Sequence, residues 1–302
     1  MSFIWHGFLI YLGDIMKKVY NIVEQKILID TDFDYKMDDA YNPFLECDNT
    51  YDVKYKFNKI NQLDNNLFLK NEKLHSKNLI EIYDNKNGYL RLYLNLSQQE
   101  PYGYLYEEKN DNKEYNVYID LNKNIDVNTF KIFEMIGLES YFCKRNIFLL
   151  HSSYIKWNDC AILFSGPSGM GKSTQADLWN KYEGCEIING DRSAITKKYG
   201  VWNAYGLPFA GSSRIYKNVK NPIKCVVVLK QAKNNKIRKL GPLEAFKYIY
   251  SQTTVNDWNK EYINTIINLI EEFVKEIPVF MLECKPDNTA VQLLKETLRG
   301  EV

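Results

Sequence analysis

Hydrophobic and polar positions alternate through much of residues 18–125. Val53, Tyr55 and Phe57 are separated by polar residues, the period of a half-buried strand. Leu79–Tyr83 and Tyr89–Leu94 flank Asn85–Gly88, whose Asn87-Gly88 pair signals a hairpin turn. Tyr115, Val117 and Ile119 alternate again, and stretches rich in Asn and Asp separate these runs. Residues 16–125 therefore predict a β-rich N-terminal domain, with no nucleophile, metal cluster or glycine loop standing out. From Asp126 to Tyr141 the period changes. Phe130, Phe133, Ile136 and Tyr141 recur at helical spacing, widened by Ile132, Met135 and Leu138, and Asp126 is the expected N-cap. The expectation is one buried helix within a connecting segment 126–146.

Residues 147–302 alternate strand-like and helix-like runs, which predicts an α/β domain. Phe148–Lys156 and Cys160–Ser165 are apolar strand runs. Thr174–Tyr182 reads as a helix facing inward with Ala176, Trp179 and Tyr182, stopped by Gly184. Glu186–Asn189 is a short strand, and Ala194–Thr196 and Val201–Ala204 pair around Lys198–Gly200. Cys225–Leu229 is a strand with Ile237–Leu240 expected beside it. Pro242 opens a helix at its first position. Trp258–Val274 reads as an amphipathic helix, Val279–Leu282 as a strand and Thr289–Leu298 as a closing helix.

Length and composition bound the rest. The 302 residues suffice for two domains. A hydrophobic share of 45% with 25% charged residues is a globular balance. A net charge of +1 without a basic stripe argues against nucleic acid as a partner. Cys47, Cys143, Cys160, Cys185, Cys225 and Cys284 are scattered without metal-ligand spacing, as reduced thiols of the cytoplasm would be. Phe3–Ile15 is apolar but carries Asp14, is too short to span a bilayer and lacks a signal-peptide cleavage pattern, so no membrane association is expected. Residues 1–15 are assigned no function and are expected to be dispensable, either as part of the protein or as an extension preceding a start at Met16.

One motif carries the chemistry. Residues 166–173 read GPSGMGKS, which fits the phosphate-loop pattern G-x-x-x-x-G-K-[ST] at every position. The apolar run Cys160–Ser165 precedes it and a helical pattern follows, as the motif requires. Gly166, Gly169 and Gly171 permit backbone torsions closed to other residues, so that the amides of the loop, Ser168 and Met170 among them, can approach phosphate oxygens. The first turn of the helix, with Thr174, adds its dipole. Lys172 is expected on the β- and γ-phosphates and the Ser173 hydroxyl on Mg²⁺. The ligands predicted are ATP and Mg²⁺.

Two further residues are brought to this loop by geometry. If Asn158-Asp159 is a two-residue turn, Trp157 pairs with Cys160, and counting back brings His151 opposite Gly166. Without that register His151 is an ordinary structural histidine. A right-handed strand–helix–strand unit makes its two strands parallel, so Asp191 arrives at the edge that carries the phosphate loop. There it can ligate Mg²⁺ or take a proton from an attacking hydroxyl; otherwise it is a turn aspartate. The segment GLPFAGSS, residues 206–213, returns to the same edge as a candidate substrate loop. Arg214 behind it is positioned to face transferred charge, or else is a solvated surface arginine.

A histidine in a strand, a hairpin into GPSGMGKST, and NGD some twenty residues on resemble the catalytic domain of HPr kinase/phosphorylase, which shares its fold with phosphoenolpyruvate carboxykinase. The resemblance covers roughly residues 147–300. It implies a mixed-sheet phosphate-loop kinase domain. His151 falls on a histidine the family keeps near the phosphates, and Lys172 and Ser173 match its loop. Asp191 falls on the second aspartate of an Asp-Asp pair whose first position is Gly190 here. The family's Glu-Ile-Arg-Gly signature is absent, and AYGLPFAGSSR occupies that region, so the resemblance does not extend to HPr as substrate or to the reverse reaction. That loop, with the β-rich front domain, is similar to HPr-kinase-related proteins encoded beside ribosomally made, modified peptides. The expected activity is transfer of the γ-phosphoryl group of ATP to a hydroxyl, a serine of a peptide or protein, with Asp191, His151 and Arg214 as catalytic residues. A small-molecule hydroxyl kinase and a non-catalytic nucleotide-binding regulator are the alternatives, and an oligomer is compatible with all three.

Overall fold

The computed structural model describes residues 16–300 except Asn65, Gln98, Asp111 and Asn124. The segment 1–15, expected to be dispensable, lies outside the described residues. The alternating runs of the first half form one mixed sheet of nine strands. These are β1 (Met16–Ile22), β2 (Gln25–Thr31), β3 (Leu45–Glu46), β4 (Val53–Ile60), β5 (Glu72–Lys77), β6 (Ile80–Asn85), β7 (Gly88–Leu94), β8 (Pro101–Glu108) and β9 (Glu114–Asp120), with a short helix α1 (Asn66–Leu69) between β4 and β5. Their order is β3-β1-β2-β4-β9-β8-β7-β6-β5. The period of two shows in burial: Val53, Tyr55 and Phe57 are all buried, as are Tyr115, Val117 and Ile119. β4 and β9 run parallel with Tyr55 opposite Tyr115, and those two rings stack at 5.2 Å.

The hairpin of β6 and β7 forms, but its turn differs from the expected one. Asn85 pairs with Gly88, so the two turn residues are Lys86 and Asn87, and Gly88 opens the strand. The glycine serves the next strand instead, since a Cβ at Gly88 would stand 2.5 Å from the Glu107 carbonyl oxygen of β8. The expected single helix is two, α2 (Thr129–Glu134) and α3 (Leu138–Cys143). Gly137, at φ +58°, separates them, and the cap of α2 is Asn128, whose side chain accepts from the Lys131 amide, not Asp126. Phe130, expected inside, is exposed.

Two compact units divide at Ile136/Gly137, and the second also takes in Ile22–Glu24 and Asp39–Phe44. Its remaining elements are β10 (Phe148–Trp157), β11 (Cys160–Ser165), α4 (Lys172–Glu183), β12 (Glu186–Asn189), β13 (Arg192–Lys198), β14 (Val201–Tyr205), β15 (Lys220–Gln231), β16 (Lys236–Lys239), α5 (Pro242–Ser251), α6 (Lys260–Glu276), β17 (Val279–Cys284) and α7 (Asn288–Gly300). The sheet is mixed. β11 is parallel to β15, which is parallel to β17, while β10, β13 and β14 join by antiparallel ladders. β15 pairs with β14 through its first residues and with β11 through its later ones, so β10, β11, β15, β14 and β13 form a closed circuit. Alternate residues of β11 and β15 face two apolar layers. Ile162, Phe164, Val227 and Leu229 pack with Trp179 of α4 and Leu294 of α7. Leu163, Val226 and Val228 pack with Ile249 of α5 and Ile266 and Phe273 of α6.

Three expectations are revised. Ile237 pairs with β17, not β15, because the parallel strand β17 takes the place next to β15 and leaves β16 at the sheet edge. Helix α6 starts after Trp258, where the Asn259 side chain caps it by accepting from the Glu261 and Tyr262 amides. Tyr182 of α4 is exposed, leaving Ala176 and Trp179 as the buried positions of that face. Among the described residues no helix is long and apolar enough to cross a membrane.

Candidate functional site

The glycine loop between β11 and α4 has the backbone the motif demands. Gly166, Gly169 and Gly171 have φ of +146°, +79° and +95°, a region closed to most side chains. Helix α4 begins at Lys172 with Gly171 before it and no side chain capping its first amides. Those N–H groups are the donors that a helix end leaves unpaired and that suit an anion. Ser168, Ser173 and Thr174 are exposed around them and Met170 packs against the core. Lys172 is buried, its ammonium donating to the carbonyls of Gly166 at 2.8 Å and Pro167 at 3.1 Å. Burial lowers its pKa and the charge of Asp191 opposes that shift. At its far side the loop is tied to β15, where the Gln231 side chain donates to the Gly169 carbonyl at 3.0 Å.

The turn Asn158-Asp159 has both residues at positive φ, 47° and 59°, as a two-residue hairpin turn of right-twisted strands requires. The register then runs from Trp157↔Cys160 to Ser152↔Ser165, which leaves His151 one step beyond the ladder at the mouth of the loop. Ser165 fastens that step by donating its hydroxyl to the His151 carbonyl at 2.9 Å.

Asp191 reaches the same edge as expected, since β11 and β12 are each antiparallel to β10 and so run parallel to one another. β12 and β13 both pair antiparallel with β10, so together they form one interrupted strand along it. β10 itself lies between β11 and β12. The interruption is Gly190-Asp191, opposite Ser152 and Ser153. There the Ser152 amide donates to the Asp191 carbonyl at 3.0 Å and the Ser153 hydroxyl to the Gly190 carbonyl at 3.1 Å. Thus β10 carries His151 with the start of the phosphate loop on one side and Asp191 on the other. His151 Nε2 stands 3.6 Å from Asp191 Oδ1. Burial depresses the His151 pKa, Lys172 lowers it further, Asp191 raises it, Arg192 lowers it and the Gln252 side chain raises it. The net shift is downward from 6.5, so the ring is mostly neutral at pH 7.

The loop 206–213 lies directly on this break. A Cβ on Gly211 would sit 3.2 Å from the Asp191 carboxyl carbon, and one on Gly190 would sit 2.3 Å from the Ser213 hydroxyl. Asn189 fixes both segments. Its Nδ2 donates to the carbonyls of Leu207 at 2.8 Å and Phe209 at 2.9 Å, and its Oδ1 accepts from the amides of Asp191 at 2.8 Å and Arg192 at 2.9 Å. Reading the sequence for chemistry misses Asn189, although Asn-Gly-Asp is a legible signal for a side chain that bonds the backbone two residues on. Arg214 ends the loop, exposed and at φ +52°, and its guanidinium makes no hydrogen bond or ion pair among the described residues. The cation beside Asp191 is Arg192, with Nε 3.5 Å from Oδ2.

No family model and no curated protein matches the chain. Among solved structures, the Hpr(Ser) kinase/phosphatase from Coxiella burnetii is similar at 12% identity, with 51% of this chain and 88% of that chain covered and a TM-score of 0.29.

The residues fit a nucleoside triphosphate with Mg²⁺. The uncapped amides and the buried ammonium suit phosphate, and Ser173 and Asp191 offer one hydroxyl and one carboxylate. No group of three acidic, histidine or cysteine side chains among the described residues forms a metal cage. One hydroxyl and one carboxylate suit Mg²⁺, which is held by one or two protein oxygens together with phosphates and water.

Proposed function

We propose that this chain is an ATP- and Mg²⁺-dependent kinase that transfers the γ-phosphoryl group to a hydroxyl, a serine of a peptide or protein. The observation that supports it most is the convergence on β10 of a buried phosphate-loop lysine and a carboxylate, with His151 Nε2 3.6 Å from that carboxylate. A loop built only as a glycine turn has no use for a lysine withdrawn from water, because burying an ammonium is costly unless an anion repays it. Mg²⁺ supplies charge neutralisation on the phosphates. Lys172 leaves the loop carbonyls for the β- and γ-phosphates, and the amides of 168–174 hold the remaining oxygens. Ser173 and Asp191 are the candidate metal oxygens. Asp191 also accepts the proton of the acceptor hydroxyl. His151, neutral at pH 7, serves as a hydrogen-bonding partner beside Asp191 and not as a fixed cation. Arg214, exposed after the 206–213 loop, is a cation for the charge carried by the transferred group. The loop that rests on Asp191 is the natural seat for the acceptor.

The test is phosphorylation of peptides encoded beside the gene, followed by mass spectrometry after incubation with ATP and Mg²⁺. Asp191→Asn keeps the shape and removes the charge, and is expected to cost a hundredfold or more in turnover, on the order of a lost general base, with ATP affinity retained. Normal phosphorylation by Asp191→Asn would overturn the mechanism.

A further inference from the structure

In a regular strand, neighbouring side chains point to opposite faces, so residues 191 and 192 should not meet. The break at Gly190-Asp191 changes that, and Arg192 Nε comes within 3.5 Å of Asp191 Oδ2. The other end of the same guanidinium is tethered: Nη1 donates to the Thr254 hydroxyl at 3.2 Å. Thr254 belongs to the segment that follows α5, and that segment is fastened to β10. The Thr254 amide donates to the Leu149 carbonyl at 2.9 Å, and the His151 amide donates to the Gln252 carbonyl at 2.9 Å. Arg192 is also the β13 residue directly opposite His151. The Asp191 carboxylate is thus flanked on both sides, Oδ2 by Arg192 and Oδ1 by His151.

We propose that Arg192 is a positioning residue that clamps Oδ2 of Asp191, so that Oδ1 faces the reacting hydroxyl. This rests on the kinase reading above. The clamp answers a specific need. Glycine at position 190, with the Ser213 hydroxyl packed against it, supplies no carboxylate next to Asp191 in the chain. A single carboxylate on an interrupted strand must be held to within about half an ångström by its neighbours. A planar guanidinium suits this role because its donors form a rigid fork able to serve two partners at once. A stability role is the weaker reading, because the two side chains are 44% and 30% exposed and exposed ion pairs contribute little to folding.

The experiment is ATP turnover by the full chain with Mg²⁺ and water as acceptor, followed as ADP formation, with ATP affinity and melting temperature measured in parallel. Arg192→Gln is expected to lower kcat by about tenfold, with KM for ATP changed by less than about threefold and the melting temperature held within about 2 °C. Arg192→Lys restores part of the charge and is expected to recover part of kcat. In an Asp191→Asn background, Arg192→Gln is expected to cost nothing further, because it acts through the carboxylate already lost. Unchanged kcat in Arg192→Gln, a change confined to KM, or a full additional loss on top of Asp191→Asn would each overturn the clamp and leave the role of Asp191 standing. Normal turnover by Asp191→Asn would instead sink the kinase reading on which the clamp rests.

Discussion

At the scale of single residues, two side chains make separable predictions. Lys172 donates to two backbone carbonyls, which under the proposed kinase reading it gives up for phosphate, so Lys172→Ala removes charge-assisted bonds without opening the fold. ATP affinity is expected to fall on the order of tenfold to a hundredfold, measured by calorimetric titration, with the melting temperature little changed. His151 makes a pH prediction whose sign follows from its depressed pKa. Below the ordinary histidine value of about 6.5 the unfolded chain takes up a proton that the folded chain resists. Stability therefore rises with pH through that window, is fully present above it and is lost as pH falls below it. Thermal unfolding of the wild type and of His151→Gln between pH 8 and 5 checks this. The wild type should lose more stability on acidification, and parallel curves would refute it.

At the scale of elements, the break between β12 and β13 depends on Asn189. The side chain is fully buried and makes four hydrogen bonds to backbone groups of two segments. Asn189→Ala leaves two amides and two carbonyls without that partner, an expected loss of about 2–4 kcal/mol in denaturant unfolding. Turnover should fall more than ATP affinity, because the phosphate loop stands on β11 while Asp191 and the 206–213 loop stand on Asn189. The hairpin of β10 and β11 was legible beforehand, since a two-residue turn fixes every pair behind it. The split of the connecting helix was less so. Gly137 lies in the middle of an unbroken hydrophobic period, and periodicity does not register a left-handed residue.

At the scale of the whole molecule, the second unit takes in residues from far earlier in the chain. Glu24 bonds to Lys198 and Lys220 and accepts from the Tyr205 hydroxyl at 3.2 Å. Burial pushes its carboxyl pKa up, and the two lysines more than offset this, bringing it down to about 2. A depressed carboxylate contributes stability above its ordinary pKa of 4.5, and that contribution disappears as pH falls toward 2. Glu24→Gln is therefore expected to lower the melting temperature by about 2 °C at pH 7. The difference should vanish near pH 2, and a difference that persisted there would exclude the ionic explanation. Tyr41 packs edge-on against Phe209 within the same unit, centroids 6.3 Å apart, so a fragment beginning at Gly137 lacks both contacts.

What the sequence determined by itself was local: the glycine loop, whose glycines, lysine and serine lie within eight consecutive residues; the period of the strands; and the register of a hairpin closed by two residues. What the tertiary structure decided is which distant residues meet. Arg192 stands beside Asp191, and Arg214 makes no bond to it, because an interrupted strand turns two neighbouring side chains toward one point, and spacing along the chain carries no record of such a break. The parallel neighbours of β15 and the edge position of β16 were equally hidden, since each strand reads alike whichever partner supplies its hydrogen bonds.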